Sequence, residues 1–289
     1  MIKYIRLLRP QQWSKNVFIF AGLVFSRNFK NIDDILSAIG AFFVFSFLAS
    51  SIYIFNDICD YEEDKIHPVK SRRPIAADEV PRHRAWIICI ALFIISLSAA
   101  YCFNDRFFFV CLVYAFLMIM YSWRIKQIVI LDVFFVALGY VFRAVAGAVV
   151  IKVEISSWLL LCTLLLALFL VLSKRRTEIM TLGDSAVKHR KILVQYPVSL
   201  LNQMIAIVTS ACVVSYCLYT LAPETIAKFN TRNLILTVPF VIYGIFRYLY
   251  ITYEKLEADI PEKIILTDWP LLLCLLLWVI SCIMILAAF

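Results

Sequence analysis

The sequence predicts an all-α polytopic membrane protein, and three observations carry that expectation. Apolar residues fill 63% of its 289 positions and mean hydropathy is +0.87, whereas soluble domains stay near half apolar. The apolar residues gather in runs long enough to cross a bilayer, which takes about 20 residues. No short alternating segments suggest a membrane barrel. Little sequence remains for a soluble domain, so residues 1–289 read as a single transmembrane domain.

Nine candidate spans follow in order, at roughly 15–30, 33–56, 83–103, 106–122, 128–150, 156–174, 196–221, 232–252 and 266–288. The first is short and carries Lys15, Asn16 and Arg27. The stretch before it, Met1 to Lys15, is basic and contains Trp13, which fits an interfacial lead-in rather than a cleaved signal peptide. The third and fourth spans meet at a tight turn, Asn104-Asp105. Nine Cys are scattered without a CxxC pair, mostly within apolar runs, and read as small buried hydrophobes.

Charge orients the bundle. The net charge of +8 is compatible with nucleic-acid binding, but in a membrane protein basic residues mark the cytoplasmic side. Nine alternating helices with a cytoplasmic N-terminus put Lys3, Arg6, Arg9, Lys15, Lys65, Lys70, Arg72, Arg73, Arg82 and Arg84 on that side. Arg124, Lys126, Lys174, Arg175, Arg176, Lys188, Arg190, Lys191, Arg247, Lys255 and Lys263 join them, while the opposite side keeps Arg27, Lys30, Arg106, Lys152, Lys228 and Arg232. The expectation is an integral protein of the cytoplasmic (inner) membrane, with an active-site cavity open to the cytoplasm and no nucleic-acid partner.

The stretch from Asn56 to Pro74 holds the strongest chemical signal. Asp57, Asp60 and Asp64 fall at i, i+3 and i+7, which on a helix aligns three carboxylates along one face. Such carboxylates repel one another unless a cation lies between them. Hard oxygen ligands suit Mg²⁺, which commonly shares itself with substrate phosphates. Lys70, Arg72 and Arg73 follow closely enough to grip those phosphates. The plainer alternative is a charged, solvated loop between two spans. His67 is read as a hydrogen-bonding residue, since Mg²⁺ prefers oxygen.

Other polar residues need a reason. Asp132 and Arg143 lie in the fifth span, about three helical turns apart, and share a face. They line a polar cavity or make structural pairs. Gly139 and Gly147 read as helix-packing positions. Tyr121 and Lys126 alone would be interfacial anchors, and gain weight from the Asp132 and Arg143 that follow. The group Lys174, Arg175, Arg176, Thr177 and Glu178 ends the sixth span as a basic helix terminus or as a phosphate-binding cluster with Glu178 orienting a base. Lys15 and Asn16 are near enough to the first span to reach into a cavity, and Asp259 to Lys263 read as a cytoplasmic loop.

At Asn56-Asp57-x-x-Asp60-x-x-x-Asp64 the sequence resembles the UbiA superfamily of intramembrane prenyltransferases. Within it, the chain is most similar to the polyprenyl-phosphate (decaprenyl-phosphate) phosphoribosyltransferase branch. Four further stretches carry that likeness: Arg9-Pro10-x-x-Trp13-x-Lys15-Asn16; Asp64-x-x-His67-Pro68-x-Lys70-x-x-Arg73-Pro74; Tyr121-Ser122 with Lys126, Asp132 and Arg143-Ala144-x-Ala146-Gly147; and Lys174-Arg175-x-x-Glu178. The resemblance spans nearly the whole chain and reaches Arg247-Tyr248, Pro261-Glu262 and Asp268. Where aromatic-prenylating members carry a second Asp-rich motif, this chain has only Asp132, with Tyr121 and Lys126 upstream.

The resemblance implies a nine-helix UbiA-type bundle and a Mg²⁺-dependent transfer of 5-phosphoribosyl from phosphoribosyl diphosphate to polyprenyl phosphate, releasing diphosphate. Asp57, Asp60 and Asp64 would hold Mg²⁺, while Lys126, Lys70 and Arg73 would stabilise the departing diphosphate. Asn56 and Tyr121 belong to the same site, and Lys15, Asn16, Asp132, Arg143, Lys174, Arg175 and Glu178 to its substrate-binding walls. The lipid phosphate would be held by Lys15, Arg143 or Lys174. The bilayer hosts the lipid tail, and homo-oligomerisation is compatible with the pattern. A second reading keeps the same acidic motif for a prenyl diphosphate, with an aromatic or tetrapyrrole acceptor. A third is a transporter with Asp132 and Arg143 lining its pathway.

Overall fold

A computed structural model of the chain describes residues 2–26, 31–66, 69–154, 156–182, 191–255, 264 and 267–288. His67 and the stretch from Asp259 to Lys263 lie outside the described residues. The chain divides into two compact units, Met1–Ile155 and Ser156–Phe289.

The first unit opens with the short helix α1 (Ile2–Leu8), a 3-10 stretch (Pro10–Ile19) and α2 (Phe20–Phe25). Here the structure departs from the expected first span at 15–30, because the chain does not enter a continuous α-helix. A 3-10 stretch of ten residues is unusually long for that geometry. It is held from outside by side chains. Trp13 Nε1 donates to Ser50 Oγ at 3.0 Å, and Ser50 Oγ donates to the Leu8 carbonyl at 2.7 Å. Asn16 Nδ2 donates to Ser46 Oγ at 2.8 Å. Among the described residues, eight helices are long and apolar enough to cross a membrane.

Helix α3 (Ile32–Cys59) is the spine of this unit. Asn31 caps it by accepting from the Asp33 N–H at 3.0 Å. Its 28 residues span about 42 Å at ~1.5 Å per residue, against roughly 30 Å of hydrocarbon. The surplus lets the acidic end of α3 project beyond the apolar layer. Helix α4 (Tyr61–Lys65) follows after a break at Asp60, where φ is −91° and ψ is 8°. Helices α5 (Arg82–Phe103), α6 (Asp105–Trp123) and α7 (Leu131–Val150) complete the unit. The expected turn between α5 and α6 is capped by Asn104, whose side chain accepts from the Phe107 N–H at 2.7 Å.

Two apolar clusters fix these parts. Ile19, Phe45, Leu48, Phe107, Tyr114 and Ala146 join α3, α6 and α7 to the 3-10 stretch. Leu7, Ile54, Ile58, Ile75, Val80 and Ala85 seat α1 and the loop after α4 against the end of α3. Burying each large side chain of this kind contributes about 1.5–3 kcal/mol. Gly147 lets the 3-10 stretch lie directly on α7: a methyl there would come within 2.6 Å of the Ile19 carbonyl carbon. A methyl on Gly22 would come within 2.9 Å of the Ala148 backbone.

The second unit contains α8 (Ser157–Leu182), α9 (Val198–Leu221), the short α10 (Pro223–Phe229), α11 (Val238–Tyr250) and α12 (Trp269–Ala288). Helix α9 packs along α8, and α11 along α12. Tyr216 links this unit, bonded to Thr237 Oγ1 at 2.7 Å and accepting from Trp278 Nε1 at 2.9 Å. Exposed Ile87, Ile94, Ile207, Phe246 and Met284 are side chains that suit lipid rather than water.

Candidate active site

The site is built where α3 ends. Asp57 is only 2% exposed, and so is Asp64 on α4. Backbone bonds Asp60 N–H to Asn56 carbonyl, 2.9 Å, and Asp64 N–H to Asp60 carbonyl, 2.8 Å, carry helical geometry across the break. The helical spacing of the three carboxylates therefore survives, but they do not form one cluster. Among the described residues, no three acidic, His or Cys side chains are close enough to enclose a metal ion by themselves.

Each carboxylate meets a cation instead. Arg73 donates through one nitrogen to Asp57 Oδ1 at 3.0 Å and to Asp64 Oδ2 at 2.5 Å. Arg9 also donates to Asp57 Oδ1. Lys126 pairs with Asp60 Oδ1, while Asn56 Nδ2 donates to Asp60 Oδ2 at 2.9 Å. Burial pushes the Asp64 carboxyl above its ordinary range, and the charges of Arg73 and Lys70 pull it back. The pairings with Arg73 use Oδ1 of Asp57 and Oδ2 of Asp64, so each of these carboxylates has a second oxygen to offer. That donor set fits Mg²⁺, which is usually held by one or two carboxylates with phosphate oxygens and water completing its shell.

The cations are delivered by braced segments. Arg73 starts a loop closed by Ala77 N–H to the Arg73 carbonyl at 2.8 Å and Val80 N–H to the Pro74 carbonyl at 2.9 Å. Helix α1 clasps that loop: Arg6 donates to Glu79 at 3.1 Å and to the Arg72 carbonyl at 2.6 Å, and Lys3 to the Glu79 carbonyl at 3.0 Å. Tyr61 donates to Asp78 at 2.7 Å, and Lys65 pairs with Asp78 at 3.0 Å. Lys126 sits in a 3-10 turn (Ile125–Gln127) between α6 and α7, five residues after Tyr121 at the end of α6.

Arg143 lies on α7. It is 4% exposed and all three guanidinium nitrogens are engaged inside the first unit. They donate to Asn16 Oδ1 at 2.6 Å, the Gly139 carbonyl at 2.5 Å and Tyr114 Oη at 3.1 Å. The rings of Phe45, Tyr114 and Tyr140 surround it at 5.3–5.6 Å. Asn16 is thus pinned between Arg143 and Ser46, and Lys15 is its neighbour on the same stretch. Asp132 is fully buried near the start of α7. Lys70 lies in the 3-10 turn Lys70–Arg72 just ahead of Arg73.

In the second unit, Glu178 accepts from Arg175 at 2.7 Å and lies 3.9 Å from Lys174. Arg176 is buried beside them. It donates to Asn202 Oδ1 at 2.9 Å and to the Thr252 carbonyl at 3.1 Å, and its guanidinium lies 3.8 Å from the Tyr253 ring.

Sequence reasoning missed Arg9 as a site residue, along with Tyr114 and Ser46 as partners of the Arg143–Asn16 pair. Arg9 had two signals, its place directly before Pro10 in a basic lead-in and its position at the head of a stretch that carries the family resemblance. Tyr114 and Ser46 had none, since both stand inside uniform apolar runs.

Residues 16–180 match the UbiA prenyltransferase family. A decaprenyl-phosphate phosphoribosyltransferase of Mycobacterium tuberculosis is 31% identical over 279 residues, covering 95% of this chain and 91% of the relative. Its counterpart in Corynebacterium glutamicum is 32% identical over 288 residues, covering 97% and 85%. The solved structure of a UbiA homolog from Archaeoglobus fulgidus bound to GPP and Mg²⁺ superimposes with a TM-score of 0.73 at 20% identity, covering 99% of both chains.

Proposed function

The chain belongs to the UbiA prenyltransferase family, most like its decaprenyl-phosphate phosphoribosyltransferase branch, and from this premise we propose that this membrane transferase moves 5-phosphoribosyl from phosphoribosyl diphosphate to a polyprenyl phosphate. The observation that carries the reading is the matching of Asp57, Asp60 and Asp64 with Arg73 and Lys126 in one site at the end of α3. Carboxylates there suit a metal, and the cations beside them suit phosphate oxygens. Mg²⁺ held by one or two of Asp57, Asp60 and Asp64 would neutralise the diphosphate and make it a better leaving group.

The chain's own residues do the rest. An oxygen of the acceptor phosphate bonds to ribose C1 as the bond from C1 to the diphosphate oxygen breaks. The acceptor is already an anion, so no general base is required and no proton changes place. Negative charge gathers on the diphosphate, and Lys126, Arg73 and Lys70 stabilise it there. Tyr121, near Lys126, orients the donor, as does Asn56 through Asp60. Lys15 holds the lipid phosphate from the 3-10 stretch. Arg143 acts through Asn16, which it positions, rather than by touching phosphate. Asp132 steadies the start of α7 behind Lys126. In the second unit, Lys174 and Arg175, held by Glu178, form a further phosphate-binding group. The active site faces the cytoplasm, in keeping with the distribution of Lys and Arg.

The test is purified protein given polyprenyl phosphate, Mg²⁺ and either labelled phosphoribosyl diphosphate or a labelled prenyl diphosphate with an aromatic acceptor. A mass spectrum showing polyprenyl-phosphoryl-5-phosphoribose is the expected result. Product from the prenyl diphosphate alone would overturn the reading.

A further inference from the structure

Asp57 Oδ1 accepts from two guanidinium groups, Arg9 and Arg73. Arg73 also serves Asp64, and Lys126 serves Asp60, so three cations cancel three carboxylates. Arg9 makes no other ion pair among the described residues, and its guanidinium lies 5.6 Å from the Tyr53 ring. Its backbone is unusual. At φ 53° and ψ 57° it is left-handed, a region that L-residues other than Gly, Asn and Asp seldom enter. A residue ahead of proline is ordinarily extended. The chain therefore adopts an unfavourable conformation to place the third cation on Asp57, whose other partner, Arg73, is shared with Asp64.

We propose that Arg9 is a ligand of the diphosphate, stored on Asp57 until a divalent cation takes that carboxylate. Cation and diphosphate then bind together, and each binds poorly alone. The reason is charge balance in a buried place. A divalent cation arriving alone on the second oxygen of Asp57 would lie beside Arg9 and Arg73, weaken their hold on the carboxylate and leave excess positive charge with little water to screen it. A diphosphate arriving alone would face three carboxylates whose cations are already engaged. Arriving together, the cation takes the carboxylates and the released guanidinium groups take phosphate oxygens in paired geometry. By linkage, each ligand strengthens the other's binding by the same factor.

This inference rests on the proposed function only in that the acidic site takes a metal and a diphosphate. The ribose plays no part in it, so inorganic diphosphate is the probe. Mn²⁺ stands in for Mg²⁺ and is followed by electron paramagnetic resonance on the full chain in detergent. Diphosphate should tighten Mn²⁺ binding to the wild type by about tenfold or more, the scale of one charged contact. Arg9→Gln should bind Mn²⁺ alone about tenfold more tightly than wild type, yet bind diphosphate at saturating Mn²⁺ about tenfold more weakly. Arg9→Lys should retain the direction of the wild-type coupling.

Opposite shifts in the two affinities separate a stored ligand from a structural residue, whose loss would weaken both. Weakening of both, or movement of neither, overturns the proposal. So does a wild type that binds Mn²⁺ equally well with and without diphosphate, a result that needs no variant to fold. A wild type that binds neither probe takes the metal assignment down as well. Failure of phosphoribosyl transfer with prenyl diphosphate accepted would overturn the proposed function and leave this inference standing.

Discussion

Arg143→Met decides whether the buried guanidinium positions the lead-in stretch or holds substrate. The substitution keeps an unbranched apolar stem and removes three hydrogen bonds, to Asn16 at 2.6 Å, Gly139 at 2.5 Å and Tyr114 at 3.1 Å. Asn16 Oδ1 and the Tyr114 hydroxyl then lose a charged donor in a buried place. Each orphaned buried group costs about 1–3 kcal/mol, and the contacts with three aromatic rings add about 0.5–2 kcal/mol. Removing a cation from its buried site offsets part of this, since the ion no longer has to be desolvated. The net loss is therefore about 3–5 kcal/mol, a large share of a stability that is typically about 5–15 kcal/mol.

The assay is equilibrium unfolding in bicelles for wild type, Arg143→Met, Asn16→Ala and the double variant. Coupling between residues 16 and 143 should be about 0.5–3 kcal/mol, the usual range for groups in contact. Arg143→Lys, which restores charge without the planar fork, should recover only part of the loss. If Arg143→Met unfolds like wild type but raises the Michaelis constant for polyprenyl phosphate, the positioning argument is wrong. Arg143 would then be a phosphate ligand, the role that the family resemblance implied for it.

Three further expectations follow from the site. Asp57→Asn and Asp60→Asn should each remove nearly all turnover while the protein stays folded; near-normal activity of Asp57→Asn at ordinary Mg²⁺ would end its assignment as a metal ligand. Arg73→Ala should raise the Michaelis constant for phosphoribosyl diphosphate about ten- to a hundredfold, from the loss of a charged contact, and that for polyprenyl phosphate much less. Equal changes in steady-state titrations of both substrates would remove Arg73 from the donor site. Single cysteines placed in 57–82 or 175–195 should resist a membrane-impermeant thiol reagent added outside intact cells, and efficient labelling would reverse the orientation.

Much of this architecture was legible because bilayers impose length and apolarity on a helix. Runs such as 83–103 and 106–122 became α5 and α6 with nearly those limits, and Asn104 between them caps as its side chain predicts. The lead-in was less legible. Lys15 and Asn16 interrupt its apolar run, and what holds it in 3-10 form is Trp13 and Asn16 bonding to serines 37 and 30 residues away. The acidic spacing announced a helix end with three carboxylates, yet their pairing was invisible. Arg9 and Lys126 reach Asp57 and Asp60 from 48 and 66 residues away, distances over which periodicity says nothing. Arg143 shows the same gap in another form. Its charge inside a span drew attention, but its partner Tyr114, and Ser46 behind Asn16, look in sequence like ordinary members of apolar runs.

Ile130 offers a practical opening for anyone preparing this protein. It precedes α7 with φ 72° and ψ −47°, a strained region for any L-residue and especially for a β-branched one. Strain of this kind amounts to about 1–3 kcal/mol, while the chain entropy that glycine gives up on folding is about 0.5–1 kcal/mol. Ile130 is 44% exposed, so glycine gives up only part of the apolar burial of a core isoleucine. Ile130→Gly is thus a candidate stabilising substitution between Lys126 and Asp132, useful for longer-lived samples in detergent.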